Sequence, residues 1–537
     1  EDGIRDRVSC LVGSEMCIRD RKILAALAAA CALAATAGAQ TLVGWNNLGM
    51  HCMDDDYSVF SILPPYNVID CQLIDATGHL VTDSTGIVVT YEAVADPDGS
   101  INSSSIGKTN FWDYDVPLFG ADLPPDKGLP FPAGNPGVSM PGAGNAPRSM
   151  SYNDVMHWFE AAGVPITPID DAGRKNTYPL MRLTAKTTGG TLLATTDVVL
   201  PVSGEMDCSK CHGSGSGPAA EPAGGWANEP DVSRDYRLNI LRLHDEKHLG
   251  TEPYTGALAD RGYPAEGLEA SVRDHAKPVL CAACHASEAL GSPSYPGVKP
   301  LTASMHALHA NVVSPDNGMI LDHIANRSSC YQCHPGSDTR CLRGAMGAAV
   351  AADGSAAMQC QSCHGNMSQV GADDREGWLD EPTCQQCHTG SATDNNGQIR
   401  YTSVFEADGV TPRVAVSDLF ATNPDTPLPT KSLYRFSRGH GGLQCSACHG
   451  STHATYPAHH RNDNLQNIAL QGHAGTLSNC TSCHSSMPNT VSGGPHGMHP
   501  IGDTWISRHE EYGKRSDCLS CHGGDRRSTV LSRTFEA

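Results

Sequence analysis

Cys208-Ser209-Lys210-Cys211-His212 sets two thiols three residues apart with a histidine directly after the second, and the same spelling returns seven more times. The other copies are Cys281/Cys284/His285, Cys330/Cys333/His334, Cys360/Cys363/His364, Cys384/Cys387/His388, Cys445/Cys448/His449, Cys480/Cys483/His484 and, last, Cys518 with Cys521 and His522. Thiols at this spacing lie on one face of a helical turn, where both can form thioethers with the two vinyl groups of one porphyrin. The histidine that follows then lies beneath the ring and offers iron its proximal nitrogen. The pattern is that of covalent c-type haem attachment, and the chain is expected to carry eight such haems.

With 22 Cys and 25 His in 537 residues, chance gives well under one match. Zinc also uses paired C-x-x-C motifs, but it does not require a histidine after every second cysteine. Bridges between such close cysteines would be an odd way to staple a large chain.

The second axial ligand of each iron decides the chemistry. Fourteen further histidines lie between Cys208 and His522. The distal candidates are His244, His248, His275, His306, His309, His323, His440, His453, His459, His473, His499 and His509; His460 and His496 complete the fourteen. His275, His323, His440, His473 and His509 each precede a motif by five to nine residues, within reach of a neighbouring ring. His306 and His309, at i and i+3, share a helical face, as do His244 and His248 at i and i+4, so each pair could serve two adjacent irons. The side chains of His459 and His460 diverge, which allows at most one ligand on each side. Met367 and Met498 are the alternative axial sulfurs and would raise a potential, but the surplus of histidine argues against them. Closed irons move electrons; an open one binds and transforms a small inorganic species.

The elements that must position these groups differ along the chain. Residues 40–203 hold no motif. Gly86 to Val94, Pro179 to Thr187 and Thr191 to Val202 are β-branched and partly alternating, and predict strands of a small β-sandwich or barrel. Asn153 to Ala162, with Val155, Trp158 and Phe159 as an apolar stripe, predicts a helix. Val116 to Pro147 reads as a Pro/Gly-rich loop that covers a partner surface or moves. Gly213 to Pro230 reads as a flexible linker. The expected organisation is a β-rich haem-free domain at 40–203, a five-motif region at 204–388, an insertion or flap at 389–437 and a three-motif region at 438–537. The fold class is thus multidomain, with an N-terminal mostly-β domain before a haem-packed region of short helices and loops. Motif density leaves no room for a separate core around each ring, so the rings must lie close together.

Gly49-Met50-His51-Cys52-Met53-Asp54-Asp55-Asp56 has two readings. It is a ligand site, with His51 or Met53 reaching an iron or Cys52 binding copper, or a turn with solvated carboxylates and a Cys52–Cys71 disulfide. The second is the simpler. His79 and His157 read as ordinary surface or core histidines. Cys341, between Arg340 and Arg343, belongs to no motif, and is expected as a buried thiol or a disulfide partner of Cys52 or Cys71.

Lys and Arg number 37 against 58 Asp and Glu, a net charge of −21, so no general attraction to nucleic acid or anionic membranes is expected. Aromatic residues are only 6%, little for a chain that must bury a core unless porphyrins supply it. Residues 1–20 mix both charges around Cys10 and Cys17 and resemble translated adaptor sequence. Arg21-Lys22, the apolar run Ile23 to Ala35 and Ala37-Gly38-Ala39 describe a secretory signal peptide at 21–39. Cys31 within it has a weak lipoprotein-like setting. No later stretch is apolar for long enough to predict a transmembrane segment in the mature chain.

The eight motifs resemble those of multihaem c-type cytochromes, over about Cys208 to His522. With the leading β-like domain, the chain is similar to the exported cytochromes of extracellular electron transfer. That resemblance implies a periplasmic, outer-surface or extracellular bacterial protein that passes electrons along mostly bis-histidine haems to redox partners or an extracellular acceptor. It further implies association with a porin or self-assembly into filaments. The alternative group is the octahaem redox enzymes, resembling hydroxylamine oxidoreductases and nitrite or tetrathionate reductases, in which one iron is open. The reductase branches often mark that iron with a motif lysine, which this chain lacks.

Overall fold

The computed structural model describes residues 40–511 apart from 131–136, 288, 352, 376–381, 383, 388–400, 415–435, 489–493, 498 and 500–502. The expected leader, signal peptide and Cys31, with His388, Met498 and most of the 389–437 insertion, lie outside the described residues. So does the whole eighth motif, Cys518, Cys521 and His522.

The strands in chain order are β1 (Thr41–Asn46), β2 (His51–Cys52), β3 (Phe60–Ser61), β4 (Val68–Ile74), β5 (Ile87–Val94), β6 (Arg148–Ser149), β7 (Ser151–Asn153), β8 (Trp158–Ala162), β9 (Leu180–Thr187), β10 (Leu192–Val199), β11 (Val202–Ser203) and β12 (Val279–Leu280). The helices are α1 (Phe111–Phe119), α2 (Ser209–His212), α3 (Val232–His248), α4 (Tyr254–Asp260), α5 (Leu268–Arg273), α6 (Leu301–His309), α7 (Cys360–His364), α8 (Met367–Val370), α9 (Cys445–His449), α10 (Leu465–Gln471) and α11 (Asp503–Arg508).

Two four-stranded antiparallel sheets, β1-β4-β8-β7 and β10-β9-β5-β6, form the N-terminal region. Alternation in β5 turns Val89, Tyr91 and Ala93 inward. There they meet Leu42, Ile69, Cys71 and Leu73 of the first sheet, with Met181 and Leu183 of β9, in one apolar core. Each such side chain contributes about 1.5–3 kcal/mol when fully buried.

The first sheet is covered on its other face as well. Val43, Trp45, Ile74, Met156 and Trp158 pack against Ala447, which lies between the cysteines of the sixth motif, and against Leu443, Leu470, Leu477 and Cys483. β4 is therefore buried along its whole length. Polar contacts fix the docking. The Gln466 Oε1 of α10 accepts from Gly44 N at 2.7 Å and from Thr196 Oγ1 at 2.9 Å. Arg343 forms a two-pronged pair with Asp463, both bonds 2.7 Å, with both side chains buried. Its third nitrogen reaches the Gly49 carbonyl. β12, which leads into the second motif, pairs in parallel with β3. The sheet-rich region and the region of short helices thus gather into one compact unit.

Several expectations change. Asn153 to Ala162 is a hairpin and not a helix: β7 and β8 are joined by a tight turn in which Asn153 Oδ1 accepts from Val155 N and Met156 N, at 3.1 and 3.0 Å. The apparent helical stripe comes from β8, where Trp158, Phe159, Ala161 and Ala162 are buried from both sides, while Val155 is exposed. The start of the expected Pro/Gly loop belongs to α1, and Leu129 and Met140 beyond it sit in the sandwich core. Gly213 to Pro230 is held along α3: Asp235 and Asn239 accept from Ser214 N and Ala227 N at 2.7 and 2.8 Å.

Candidate functional site

Local turns first place the ligands. Each described motif folds as a single α- or 3-10 turn, with the His amide bonded back to the first Cys carbonyl at 2.9 Å in the first, third and seventh motifs. That turn puts both thiols on one side with the imidazole beyond them. Of the expected attachment and proximal residues, Cys518, Cys521, His522 and His388 are the ones that fall outside the described residues.

Tertiary packing then brings a second imidazole to each of six motif histidines. Ring centres are 6.3 Å apart for His212 and His309, 6.4 Å for His285 and His244, and 6.2 Å for His334 and His306. They are 6.1 Å apart for His364 and His453, 5.9 Å for His449 and His496, and 6.1 Å for His484 and His440. A transition metal binds an imidazole nitrogen at about 2.0 Å and the ring centre lies about 1.1 Å behind it, so two trans imidazoles on one metal stand about 6.2 Å apart. The six pairs match that spacing.

Hydrogen bonds orient the rings. Nδ1 of His285 bonds the Lys299 carbonyl at 2.8 Å, that of His306 the Thr302 carbonyl at 2.8 Å and that of His309 the Met305 carbonyl at 2.7 Å. His453 does the same with the Leu48 carbonyl at 3.0 Å. Donation from Nδ1–H leaves the lone pair on Nε2, the arrangement found in metal-bound histidines. Burial lowers the pKa of His212, His244 and His306 to about 4 and that of His364 to about 3, so these rings are neutral and fit to bind a metal. Leu308, Val313, Ile320 and Ile324, exposed apolar residues flanking the α6 histidines in the chain, suit the face of a macrocycle. On these observations the residues fit bis-histidine c-type haems. Among the described residues no three metal donors converge on one point.

The motifs form a series in space. Cys333 of the third lies within electrostatic reach of Cys208 and Cys211 of the first. Cys330 adjoins Cys360 of the fourth. Cys363 neighbours Cys387 of the fifth, Cys384 neighbours Cys445 of the sixth, and Cys448 neighbours Cys483 of the seventh. α3 joins the second motif to the first, since Asn239 Nδ2 donates to the His212 carbonyl at 2.8 Å and His244, farther along, faces His285.

The structure thus brings seven expected candidates into pairs or stacks. His244, His306, His309, His440 and His453 face motif histidines, with His440 turned to the seventh motif and not to the sixth that it precedes. His499 stacks on Trp505 at 3.4 Å, and His509 lies 5.9 Å from the same ring. His248 is exposed beside His244 and Tyr254. His275, His323, His459 and His473 are exposed. His460 stacks on Tyr178 at 3.9 Å. His496, set apart from the candidates, faces His449; its Gly-Pro-His-Gly setting, with φ +55 at the histidine, is the local sign that it sits in a shaped turn.

The 49–56 stretch is only partly the solvated turn expected: Asp55 is exposed, whereas His51, Met53 and Asp54 are buried. His51 Nε2 bonds Asn47 Oδ1 at 2.8 Å, and Met53 lies in the sandwich core. Asp54 is buried and accepts from Ser61 Oγ, Ile62 N and Leu63 N at 2.8–2.9 Å, with burial raising its pKa to about 6. Asp55 pairs with the buried Arg237. No Cys52–Cys71 bond forms: Cys71 points into the core toward Met150, while Cys52 turns to Cys341 and His334. Met367 is a core residue beside Ala310 and Leu321.

Two glycines mark how closely the sheet region approaches the ligands. At Gly49, φ +84, a Cβ would lie 3.2 Å from His453 N; at Gly78, φ +85, it would lie 2.3 Å from His484 Nδ1.

No family model, curated protein or solved structure matches this chain.

Proposed function

We propose that the chain is an exported octahaem c-type cytochrome that carries electrons along a row of mostly bis-histidine haems to redox partners or an extracellular acceptor. The six imidazole pairs are the observation that carries this reading. When bound, haem iron supplies one-electron chemistry. The residues of the chain do the rest. Motif cysteines would anchor each ring, the paired imidazoles would supply nitrogens to its iron, and carbonyl bonds to Nδ1 hold the His285, His306, His309 and His453 rings in orientation. Iron held by both imidazoles of a pair would have no ligand place left for a substrate at these six sites. The close succession of motifs supports transfer from one site to the next. Acidic surface charge favours partners with basic docking faces.

Low-temperature EPR and optical spectra of the oxidised protein, before and after nitrite or hydroxylamine, test the reading. Wholly low-spin signals indifferent to both additives are expected. A high-spin fraction near one iron in eight that shifts with either additive would overturn it in favour of a redox enzyme.

A further inference from the structure

Cys52 and Cys341 are the described cysteines, apart from Cys71, that belong to no motif, and the fold brings them together. The Cys52 side chain sits against that of Cys341 and against the ring of His334, the motif histidine of the third site. This meeting is held from both ends. Cys52 closes β2, whose parallel partner β11 places Ser203 opposite it. Ser203 Oγ and Thr339 Oγ1 are 3.2 Å apart, and Glu205 accepts from Thr339 N at 3.2 Å, which fixes the chain just before Cys341. Arg343, just after it, is fixed by Asp463 and by the carbonyl of Gly49 near Cys52. Clamps on both sides hold two half-buried thiols against each other and against a ligand ring.

We infer that Cys52 and Cys341 form a reversible dithiol–disulfide site, opened and closed by exchange with a small or protein disulfide, that controls the contact made by His334. In closing, one thiol gives up its proton and its sulfur attacks a sulfur of the partner disulfide; the second thiol then displaces the mixed link. One S–S bond forms in this chain and one breaks in the partner, which leaves as two thiols carrying both electrons and both protons. In the dithiol state Cys52 is a partner for His334; in the disulfide state its sulfur is a poorer acceptor. Since hydrogen bonding to a ligating imidazole tunes its metal, the two states give the third site different reduction potentials. That second part rests on His334 as a haem ligand, whereas the exchange itself does not.

The test uses the haem-loaded full chain incubated with oxidised or reduced glutathione, then alkylated and mapped by mass spectrometry without reduction. The expected result is a linked Cys52–Cys341 peptide after oxidised glutathione, and two alkylated cysteines after reduced glutathione. Full alkylation of both after oxidised glutathione overturns the proposal, even if every haem is in place. Potentiometric titration of the oxidised wild type, Cys341→Ser and Cys52→Ala gives the second readout. One reduction step moves to lower potential in Cys341→Ser, which keeps the Cys52 thiol beside His334, and does not in Cys52→Ala. Titrations identical in all three proteins overturn the link to His334. Absence of haem from a chain that still forms the linked peptide would count against the proposed function and not against the exchange.

Discussion

The sandwich at 40–203 and the motif region at 208–511 bury themselves by different means. In the first, strands supply the core directly: Tyr91, Phe111, Met181 and Leu183 are fully enclosed by their own sheets and by α1. In the second, one sizeable cluster lies near the start, where Leu238, Leu241, Tyr254, Leu258, Leu268 and Val272 close over Val59 and Phe60; past residue 300 the clusters shrink to sets such as Ala310, Leu321 and Met367, and Leu308 and Ile324 remain exposed. What recurs there is paired imidazole and paired thiol. Past residue 300 the described apolar packing is too sparse to offset much chain entropy by itself. The difference teaches that one region carries its core in its own side chains, while the later part of the other leaves room for the proposed haems to supply one.

Withholding haem attachment is the strongest way to break this comparison. In a chain produced without haem, hydrogen exchange is expected to stay slow in β5 and β9 and become fast throughout α7 and α9. Equal protection in both regions would show that the motif region has a core of its own.

Next in size is the Arg343–Asp463 pair of the motif region, which holds Arg343 against the Gly49 carbonyl of the sandwich region. Asp463→Ala leaves the buried Arg343 charge unpaired and is expected to cost about 3–5 kcal/mol. The loss would be read as a lower denaturation midpoint, and the paired exchange of Arg343 and Asp463 for apolar residues should recover much of it. A loss no larger than that of an exposed ion pair would show that the regions do not depend on this contact.

The smallest effect is a pH dependence at the joint between the regions. Burial pushes the Glu205 pKa up, but Lys175, 2.9 Å away, and donors from Asp338 and Thr339 hold it at about 2, below its ordinary 4.5. A carboxyl with its folded pKa depressed adds stability that is complete above its unfolded pKa and is lost as pH falls toward the folded one. The stability gap between wild type and Glu205→Gln should therefore be widest above pH 4.5 and close toward about pH 2. A gap that did not change with pH would remove Glu205 from the joint.

The motifs were legible because their chemistry is local: thiols and histidine act within one turn. β5, β9 and β10 were legible because one face of each is polar enough to leave an alternating trace. β8 was misread because both of its faces are buried, so alternation vanished and a helical stripe remained. β4, buried along its length, left no trace that the alternation rule could find. The imidazole partners of the motif histidines were the least legible. His306 and His309 lie on one turn yet face motifs far apart in the chain, and His440 passes over the motif beside it. Such pairing is decided by tertiary packing, which spacing along the chain does not encode. For Cys341 the sequence left a buried thiol, Cys52 and Cys71 open as outcomes, and it is packing that sets Cys52 beside it.

The bond from Gly44 N to Gln466 Oε1 joins residues 422 positions apart. Val43, Trp45 and Trp158 on the same face wait for partners from 436 onward. A chain that emerges from its N-terminus can complete the inner core of the sandwich early, while that apolar face stays uncovered until nearly all the motifs have followed. During that interval the exposed apolar face makes the half-formed protein prone to aggregation.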